Sequence, residues 1–511
     1  MVKSKFFVLR KDNADDLFLF INRKYTIEES KTDPMHYEFY DTFDSRFLNS
    51  GRILVKYDKN VIIQGNDAER NNCFTSLDSN MPSFCNDLPD SDFRNFLSGV
   101  VGNRAILKIA SIYAGRNQIN VRNKETKIVA RIEILYIKNM FEIGDRKAIE
   151  IVTIKGIRGY DKEFSSIVKI IGEIAEELVR GNYWINVLGM LGVKPRKYSA
   201  KLDVKLSAAD TSYHAVKLIL LHMLNVIMIN EEGIKKNIDT EFLHDFRVSV
   251  RRTRSALTQL MGVFNDTIVQ RFRTDFEFLQ ESTSIARDLD VYIITVNQFK
   301  ELLPKDLVVG LSPIIDYLIC EKLREYKELA LLLVSSKYKK IIHEWKLFLN
   351  SDDTDKYVGE CGLEPLNRTA NAFVLKSIKS VNKRYERLLE RDEPENMHRL
   401  RIGCKKLRYI MEFFASLYPY SIYKKAVTSL KSLQDALGVY QDIQVQKNML
   451  MDIFEKLKSK NKLNDVTPLS VGYIMRVLED KQRVTASDFN VLYDKFNVLI
   501  NKKEFKEVIV R

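Results

Sequence analysis

An internal repeat in the second part of the sequence constrains the fold more than any other feature. Residues 244–254 and 398–408 align without a gap at an offset of 154 residues, and each block begins with histidine. A later block, 279–281 against 433–435, keeps the same offset. Because histidine occurs only six times in 511 residues, the shared register indicates duplication of a structural unit.

Long helices are predicted around both copies. No proline occurs between Pro195 and Pro304, so several helices can follow one another without interruption. Asp239 is a good N-cap for the helix that carries the first block, and Gly233 is predicted to end the helix before it. Pro394 is suited to the first turn of the helix that carries the second block. Two helical bundles related by a pseudo-two-fold axis are therefore expected.

The region before residue 200 has strand patterns instead. Residues 128–135 alternate between two faces, residues 119–121 precede them across a turn, and residues 149–154 form another apolar run. We therefore predict an α+β protein of two domains. The predicted boundaries are an N-terminal domain at 1–195, a linker at 196–204 and a helical domain at 205–511, with repeats at about 205–355 and 360–511.

The repeated block places one histidine and three cations on one side of a helix. At ~100° per residue, its first, fourth, eighth and eleventh positions fall within an arc of roughly 80°. The first stripe is His244, Arg247, Arg251 and Arg254, and the second stripe is His398, Arg401, Lys405 and Arg408. No acidic residue lies between Phe246 and Asn265, so neighbours on the helix cannot neutralise the first stripe. An anion is expected to face each stripe, and phosphate suits arginine best.

Two plainer interpretations stay open. A basic stripe is often a solvated helix face, although two copies in one register weigh against that interpretation. Alternatively, Asp288 and Asp442, which also keep the offset, could pair with one arginine in each copy. That pairing would leave the other cations without a partner.

The rest of the sequence excludes several classes of protein. Five widely spaced cysteines without a CxxC pair argue against a disulfide framework or a zinc site, and favour a reducing cytoplasm. The apolar segment 215–229 is interrupted by Lys217, His222 and Asn225, so we predict no membrane span. No nucleotide-binding or hydrolase motif is present, and we predict no cofactor, metal or catalytic residue. The net charge of +13 favours an anionic partner.

The repeated motif, with Leu-Gln and a later aspartate after each copy, resembles the CHAD family (conserved histidine α-helical domain). The resemblance covers about 205–511 and implies two four-helix bundles around a basic channel that binds inorganic polyphosphate. It assigns the phosphate contacts to the eight stripe residues. Second choices are Arg252, Lys406, Lys376 and Lys379.

The N-terminal region resembles the CYTH, or triphosphate-tunnel, family through residues 40–51 and 158–160. That resemblance implies an antiparallel β-barrel with helices. Active members carry Glu-x-Glu-x-Lys on the first strand, whereas this chain has Val2, Lys3 and Ser4 leading to Lys5, and only Glu133 remains on a later strand. Since metal-assisted hydrolysis needs clustered carboxylates, we predict a degenerate, non-catalytic domain.

The function expected from the sequence is binding of inorganic polyphosphate by a cytoplasmic protein, with association to polyphosphate granules and no membrane partner. A divergent metal-dependent triphosphatase or phosphohydrolase is one alternative. Binding of nucleic acid is a second alternative, which the lack of aromatic residues interleaved with the stripes disfavours. The oligomeric state is not predicted.

Overall fold

The computed structural model describes residues 4–9, 14–65, 73–139, 149–178, 183–391, 393–485 and 489–510. The chain divides into two compact units, an N-terminal unit at Met1–Tyr198 and a helical unit at Ser199–Arg511. Each unit is described by itself below.

The described part of the N-terminal unit contains one antiparallel sheet of nine strands. The strands are β1 Ser4–Leu9, β2 Thr26–Asp41, β3 Ile53–Tyr57, β4 Asn60–Gln64, β5 Cys73–Ser76, β6 Leu107–Arg122, β7 Ile128–Asn139, β8 Ile149–Gly156 and β9 Ala175–Glu177. Five helices accompany them: α1 Ala14–Asn22, α2 Arg46–Asn49, α3 Asp92–Val101, α4 Asp161–Gly172 and α5 Tyr183–Met190.

The strand order is β5-β4-β3-β2-β6-β7-β8-β1-β9. The predicted strand pair is confirmed, because β6 and β7 are joined by a turn and Ile119 lies opposite Ile132. The antiparallel sheet with helices is also as predicted. Within the described residues, however, β5 and β9 are not hydrogen-bonded to each other, so the sheet is open where a closed barrel was expected. The two end strands are only four and three residues long, which leaves few backbone groups for closure.

The helical unit contains only helices and their connections over its described residues. They are α6 Ser212–Lys235, α7 Thr240–Gln259, α8 Asp266–Ser282, α9 Ser284–Phe299, α10 Ser312–Val334, α11 Ser336–Asn350, α12 Thr354–Tyr357, α13 Leu366–Glu390, α14 Pro394–Phe413, α15 Tyr420–Ser459, α16 Thr467–Thr485, α17 Phe489–Asn501 and α18 Lys503–Val510. Short 3-10 helices precede α10 and α15.

The repeat extends to the helices themselves. Helix α14 begins and ends 154 residues after α7, and α13 begins 154 residues after α6. At the same offset, α10 corresponds to α16 and α11 to α17. The duplicated unit is therefore much longer than the motif that reveals it.

The two repeats differ where α8 and α9 correspond to the single helix α15. Thr283 interrupts the first repeat with φ −107° and ψ 0°, and its hydroxyl donates to the backbone carbonyl of Leu279 at 2.9 Å. Such a bond from a threonine side chain competes with the helical ladder. The corresponding residue in the second repeat is Leu437, and α15 continues there without a break for 40 residues.

One hydrophobic core in the helical unit is built by both repeats. It contains residues of α9 and α10 from the first repeat together with residues of α15 and α16 from the second. Four pairs in this core are related by the offset of 154: Leu289 and Ile443, Val296 and Leu450, Phe299 and Ile453, and Leu303 and Leu457. This shared core joins equivalent surfaces of the two repeats.

Helix α6 departs from the prediction at Gly233. The helix continues to Lys235, because the glycine lies inside the packing: a Cβ atom there would come within 2.1 Å of the Phe242 ring. By length and composition α6 could span a membrane, but 61% of its most apolar window is buried within the protein. It is a core helix of the unit.

Candidate functional site

The first stripe lies on α7. Asp239 caps this helix as predicted, since its carboxylate accepts hydrogen bonds from the backbone amides of Glu241 and Phe242. The apolar face, which includes Phe242, Phe246 and Val250, is fully buried. The stripe therefore emerges on the other side, where Arg251 is exposed and the remaining three side chains, His244, Arg247 and Arg254, are half-buried.

The second stripe lies on α14. Leu400, Cys404, Leu407 and Met411 are completely buried and fix the orientation of the helix. The residues of the second stripe again lie outside the core: His398 is exposed, and Arg401, Lys405 and Arg408 are half-buried.

The structure brings the two stripes together. Helices α7 and α14 contact each other, and the Nε of Arg251 donates a hydrogen bond to the hydroxyl of Tyr409 at 2.8 Å. Burial, together with the positive charges of Arg401 and Arg251, lowers the pKa of Lys405 from 10.5 to about 8. Cations from both repeats thus act on one ammonium group, and the negative charge of Asp442 offsets only part of their effect.

The N-terminal end of the first stripe, formed by His244 and Arg247, is strongly desolvated. Burial lowers the pKa of His244 below its usual value of 6.5, and the charges of Arg287 and Arg251 lower it further. The pKa of Arg247 is also lowered, chiefly by burial. Arg247 donates to the carbonyl oxygen of Gln280 at 2.7 Å and to the hydroxyl of Thr283 at 2.6 Å, so the helix break supplies its acceptors.

The corresponding end of the second stripe has different partners. Arg401 pairs with Asp442 at 3.3 Å and donates to the side-chain oxygen of Gln441 at 3.2 Å. The amide nitrogen of Gln441 lies 2.8 Å from Nδ1 of His398. The intramolecular pairing that the sequence left open therefore exists for Arg401. In the first repeat, Asp288 acts on Arg247 electrostatically, and burial raises the pKa of its carboxyl.

The C-terminal residues of both stripes, Arg254 and Arg408, have acidic partners that the sequence did not predict. Arg254 pairs with Glu277 on α8. Glu412 pairs with Arg252 at 2.6 Å and with Arg408 at 3.5 Å, and so joins the two repeats. Glu412 follows Arg408 by four residues, a spacing that could have indicated the pair, whereas Glu277 lies on another helix and gives no sequence signal.

A further cation, Arg287, was also missed. Its Nη1 is buried without a hydrogen-bond partner among the described residues, and its charge acts on both His244 and Arg247. The equivalent position in the second repeat is Gln441. Over the described residues, no carboxylate forms an ion pair with Arg251, Arg287 or Lys405. These three residues form what we call the cationic centre.

The secondary residues are placed differently. Arg252 is engaged by Glu412 and by the carbonyl oxygen of Ala200 at 3.2 Å. Lys406 is exposed on α14, and Lys376 and Lys379 are exposed one turn apart on α13. Among the contacts of the described residues, none joins Lys376 or Lys379 to a stripe.

Within the N-terminal unit, the motif at residues 40–51 has a structural function. The carboxylate of Asp41 is completely buried and accepts hydrogen bonds from the backbone amides of Thr42, Phe47 and Leu48 at 2.7, 2.9 and 3.0 Å. It thereby holds the start of α2 against the end of β2. Of the residues predicted to replace the acidic motif, Val2 and Lys3 lie outside the described residues.

Glu133 does not pair with Arg131, its sequence neighbour. Its carboxylate lies 3.2 Å from Nε of Arg116 and 3.4 Å from the ammonium of Lys155, on the two strands that flank β7. Over the described residues, no group of three or more His, Cys, Asp and Glu side chains is placed to hold a metal ion.

The model of the CHAD domain family matches residues 218–451, which include both stripes and the cationic centre. Over these residues the chain is similar to the CHAD domain family. A search of the curated proteins finds no match to the chain.

Solved structures resemble each part of the chain. The CHAD domain of the plant Ricinus communis is 23% identical, with a TM-score of 0.48, over 60% of this chain and 97% of that one. PptA from Streptomyces chartreusis is 13% identical, with a TM-score of 0.41, over 57% of this chain and 97% of its own. A candidate adenylyl cyclase from Hippeastrum, described as having a dominant triphosphatase activity, is 11% identical with a TM-score of 0.25 and matches the N-terminal part over 37% of this chain and 96% of its own.

Proposed function

We propose that the CHAD domain of this protein binds inorganic polyphosphate, and that the cationic centre is the core of the binding surface. The observation that carries the proposal is the meeting of Arg251 from the first repeat with Lys405 from the second, without a carboxylate paired to either among the described residues. The partly buried ammonium of Lys405, which has no paired carboxylate among the described residues, is unfavourable in the free protein, and the charge of Arg251 adds repulsion. An anion that contacts both repeats relieves this repulsion.

The length of the stripes favours a polymer over a single phosphate. Each stripe extends over three helical turns, or ~15 Å at 1.5 Å per residue. Two stripes that meet at Arg251 and Lys405 offer a series of donors to successive phosphoryl groups, and guanidinium groups bind phosphate oxygens in a bidentate manner. This agrees with the polyphosphate binding that the resemblance to the CHAD family implies.

Nucleic acid fits this surface less well. Binding of single strands without sequence preference relies on exposed aromatic rings on which bases stack. The aromatic residues beside the stripes, Phe246 and Tyr409, are 0% and 4% exposed, and the hydroxyl of Tyr409 already accepts a hydrogen bond from Arg251. The surface therefore offers charge without a stacking platform.

For the N-terminal unit we propose a non-catalytic role. Glu133, the acidic residue retained on a later strand, is engaged by both Arg116 and Lys155. A likeness to a protein with triphosphatase activity makes hydrolysis the alternative to test. Release of phosphate from tripolyphosphate by the full-length protein with Mg²⁺ or Mn²⁺, lost in Glu133→Gln, would establish the alternative instead.

The binding proposal is tested by titration of medium-chain polyphosphate, single-stranded DNA and duplex DNA across a salt series, since affinities of polyanions are comparable only at defined salt. We expect tighter binding of polyphosphate at every salt concentration, and a large loss in Arg251→Gln with Lys405→Gln. Equal affinity for DNA, or an unchanged double variant, would contradict the proposal. The proposal places the protein in the cytoplasm at polyphosphate granules, which imaging of the tagged full chain would show.

A further inference from the structure

A second cationic feature lies in the groove between α13 and α14, in the second repeat. A cavity of about 380 Å³ is lined by Ser380, Lys383, Arg384, Arg387, Asn396 and Arg399. Four of these six residues are cationic, and none is acidic or aromatic. We call this cavity the groove pocket.

The groove pocket is separate from the second stripe. At ~100° per residue, Asn396 and Arg399 lie roughly opposite the stripe residues of α14 on the helical wheel. The stripe side of α14 meets α7, whereas the pocket side meets α13. A ligand in the groove pocket therefore contacts none of the eight stripe residues.

The two repeats differ at the position of the groove pocket. At the offset of 154, Arg387 corresponds to Gly233 and Asn396 to Phe242. In the first repeat the Phe242 ring is fully buried and packs directly against Gly233, so that the groove is filled. In the second repeat the ring is replaced by a short polar side chain and the glycine by an arginine. The groove that is filled by apolar packing in the first repeat thus corresponds to a cationic cavity in the second repeat.

Hydrogen bonds position one guanidinium of the pocket, but few of the pocket's positive charges are paired with a carboxylate. Arg384 donates to the carbonyl oxygen of Arg399 at 3.0 Å and lies 3.4 Å from the hydroxyl of Ser380, which fixes its guanidinium at the wall. Among the described residues, Glu395 is the carboxylate that pairs with a lining cation, Arg399. Lys383 and Arg387 lie one turn apart on α13, line the cavity and are both exposed. The remaining charge favours a multivalent anion.

We infer that the groove pocket binds a small multivalent phosphate, such as pyrophosphate or triphosphate, at a site independent of the polyphosphate surface. The volume is ample for such a ligand, since a water molecule takes ~30 Å³ of liquid volume. The absence of aromatic side chains from the lining favours a phosphate without a base. Three arginine forks and a lysine around one cavity match several phosphate oxygens at once.

The test uses the full-length protein and inorganic triphosphate, with binding followed by calorimetry at fixed salt. The pocket variant is Lys383→Gln with Arg387→Gln, which removes two exposed charges. The stripe variant is Arg251→Gln with Lys405→Gln. We expect the pocket variant to lose at least about tenfold in triphosphate affinity, as for the loss of two charge-assisted hydrogen bonds. The stripe variant is expected to keep this binding, and sulfate is expected to compete weakly.

A second variant removes the cavity without removing charge. Asn396→Phe introduces the residue of the first repeat and is expected to abolish triphosphate binding in the pocket while long-chain polyphosphate binding stays within about twofold. Thermal unfolding verifies that the variant is folded. Triphosphate affinity that is unchanged in both pocket variants, or that is lost only in the stripe variant, would overturn the inference. Because the readouts are separate, failure of the polyphosphate proposal would leave triphosphate binding by the pocket intact.

Discussion

The Nε of Arg251, in the first repeat, donates a hydrogen bond to the hydroxyl of Tyr409, in the second repeat, over 2.8 Å. Tyr409 is 4% exposed, so its hydroxyl anchors the guanidinium of Arg251, whose charge acts on Lys405. The residue that corresponds to Tyr409 in the first repeat is Ser255, so this contact has no symmetric counterpart. It makes the cationic centre a property of both repeats together.

Neutralisation of the cationic centre is expected to change the salt dependence of polyphosphate binding. For a flexible polyanion the slope of log K against log salt is about −0.7 per phosphate contact, so Arg251→Gln with Lys405→Gln is expected to reduce it by about 1.4. The measurement is a fluorescence titration from about 50 to about 300 mM salt, a range over which the Debye length shortens to less than ~8 Å. The matched control is Lys339→Gln with Lys346→Gln, two exposed lysines on α11. An equal change in the control would indicate a general effect of net charge.

Polyphosphate affinity is expected to fall as the pH rises from 7 to 9. The pKa of Lys405 is about 8, so the ammonium is charged below this value and loses its proton above it. Loss of one charged contact corresponds to about tenfold in affinity. Lys405→Arg keeps the charge throughout this range, and its affinity is expected to stay nearly constant. A parallel fall in both proteins would rule out Lys405 as the titrating group.

Lys405 is also expected to reduce the stability of the ligand-free protein. Its pKa is lower in the folded protein than the usual 10.5, so between pH 8 and 10.5 the unfolded chain binds more protons and stability rises with pH. Lys405→Met is therefore expected to stabilise the helical unit at pH 7 by on the order of 1 kcal/mol, or about 2–4 °C in melting temperature.

The difference between Lys405→Met and the native protein is expected to shrink towards pH 10, where the lysine is neutral. Thermal unfolding followed by circular dichroism measures both values. A constant difference across this range would mean that packing, and not charge, is responsible.

Glu412→Gln is expected to act in opposite directions on stability and on binding. Glu412 is the carboxylate between Arg252 and Arg408, whose side chains are 14% and 22% exposed. Its loss leaves two partly buried guanidinium groups without their carboxylate and is expected to cost roughly 1–3 kcal/mol. The same loss makes Arg408 available to phosphate, so polyphosphate binding is expected to tighten. A variant with weaker binding and lower stability would show that Glu412 shapes the site instead.

Asp41→Asn is expected to destabilise the N-terminal unit without affecting the helical unit. The buried carboxylate accepts hydrogen bonds from the amides of Thr42, Phe47 and Leu48, and an amide side chain has only one oxygen to replace both acceptors. A loss of roughly 1–3 kcal/mol is expected. Hydrogen exchange of residues 41–48 measures it, and unchanged polyphosphate affinity serves as the control.

Local signals predicted the helices that carry the site. Asp239 marks the start of α7 and Pro394 the start of α14, because both act through the first turn of their own helix. The duplication predicted that α14 would repeat α7. The stripe positions were predicted by helical periodicity alone, and each lies outside the core as expected.

Partners from other helices could not be predicted in this way. Glu277 reaches Arg254 from α8, and Arg287 reaches His244 from α9, through packing that no spacing in the sequence expresses. His244 and His398 occupy equivalent positions, yet the first is half-buried near cations and the second is exposed beside Gln441. Closure of the sheet likewise depends on the positions of its two end strands, β5 and β9, relative to each other, which local sequence patterns do not specify.

The core shared by the repeats bears on whether one repeat could fold without the other. A single repeat would present the apolar side of its α9 and α10 equivalents to water, and Leu289 or Val296 would have no counterpart to cover them. A polypeptide with one repeat would therefore need a second copy of itself, in the isologous contact typical of a homodimer. In this chain both partners of that contact belong to one polypeptide. The two halves can therefore carry different residues at equivalent positions, as Phe242 and Asn396 show.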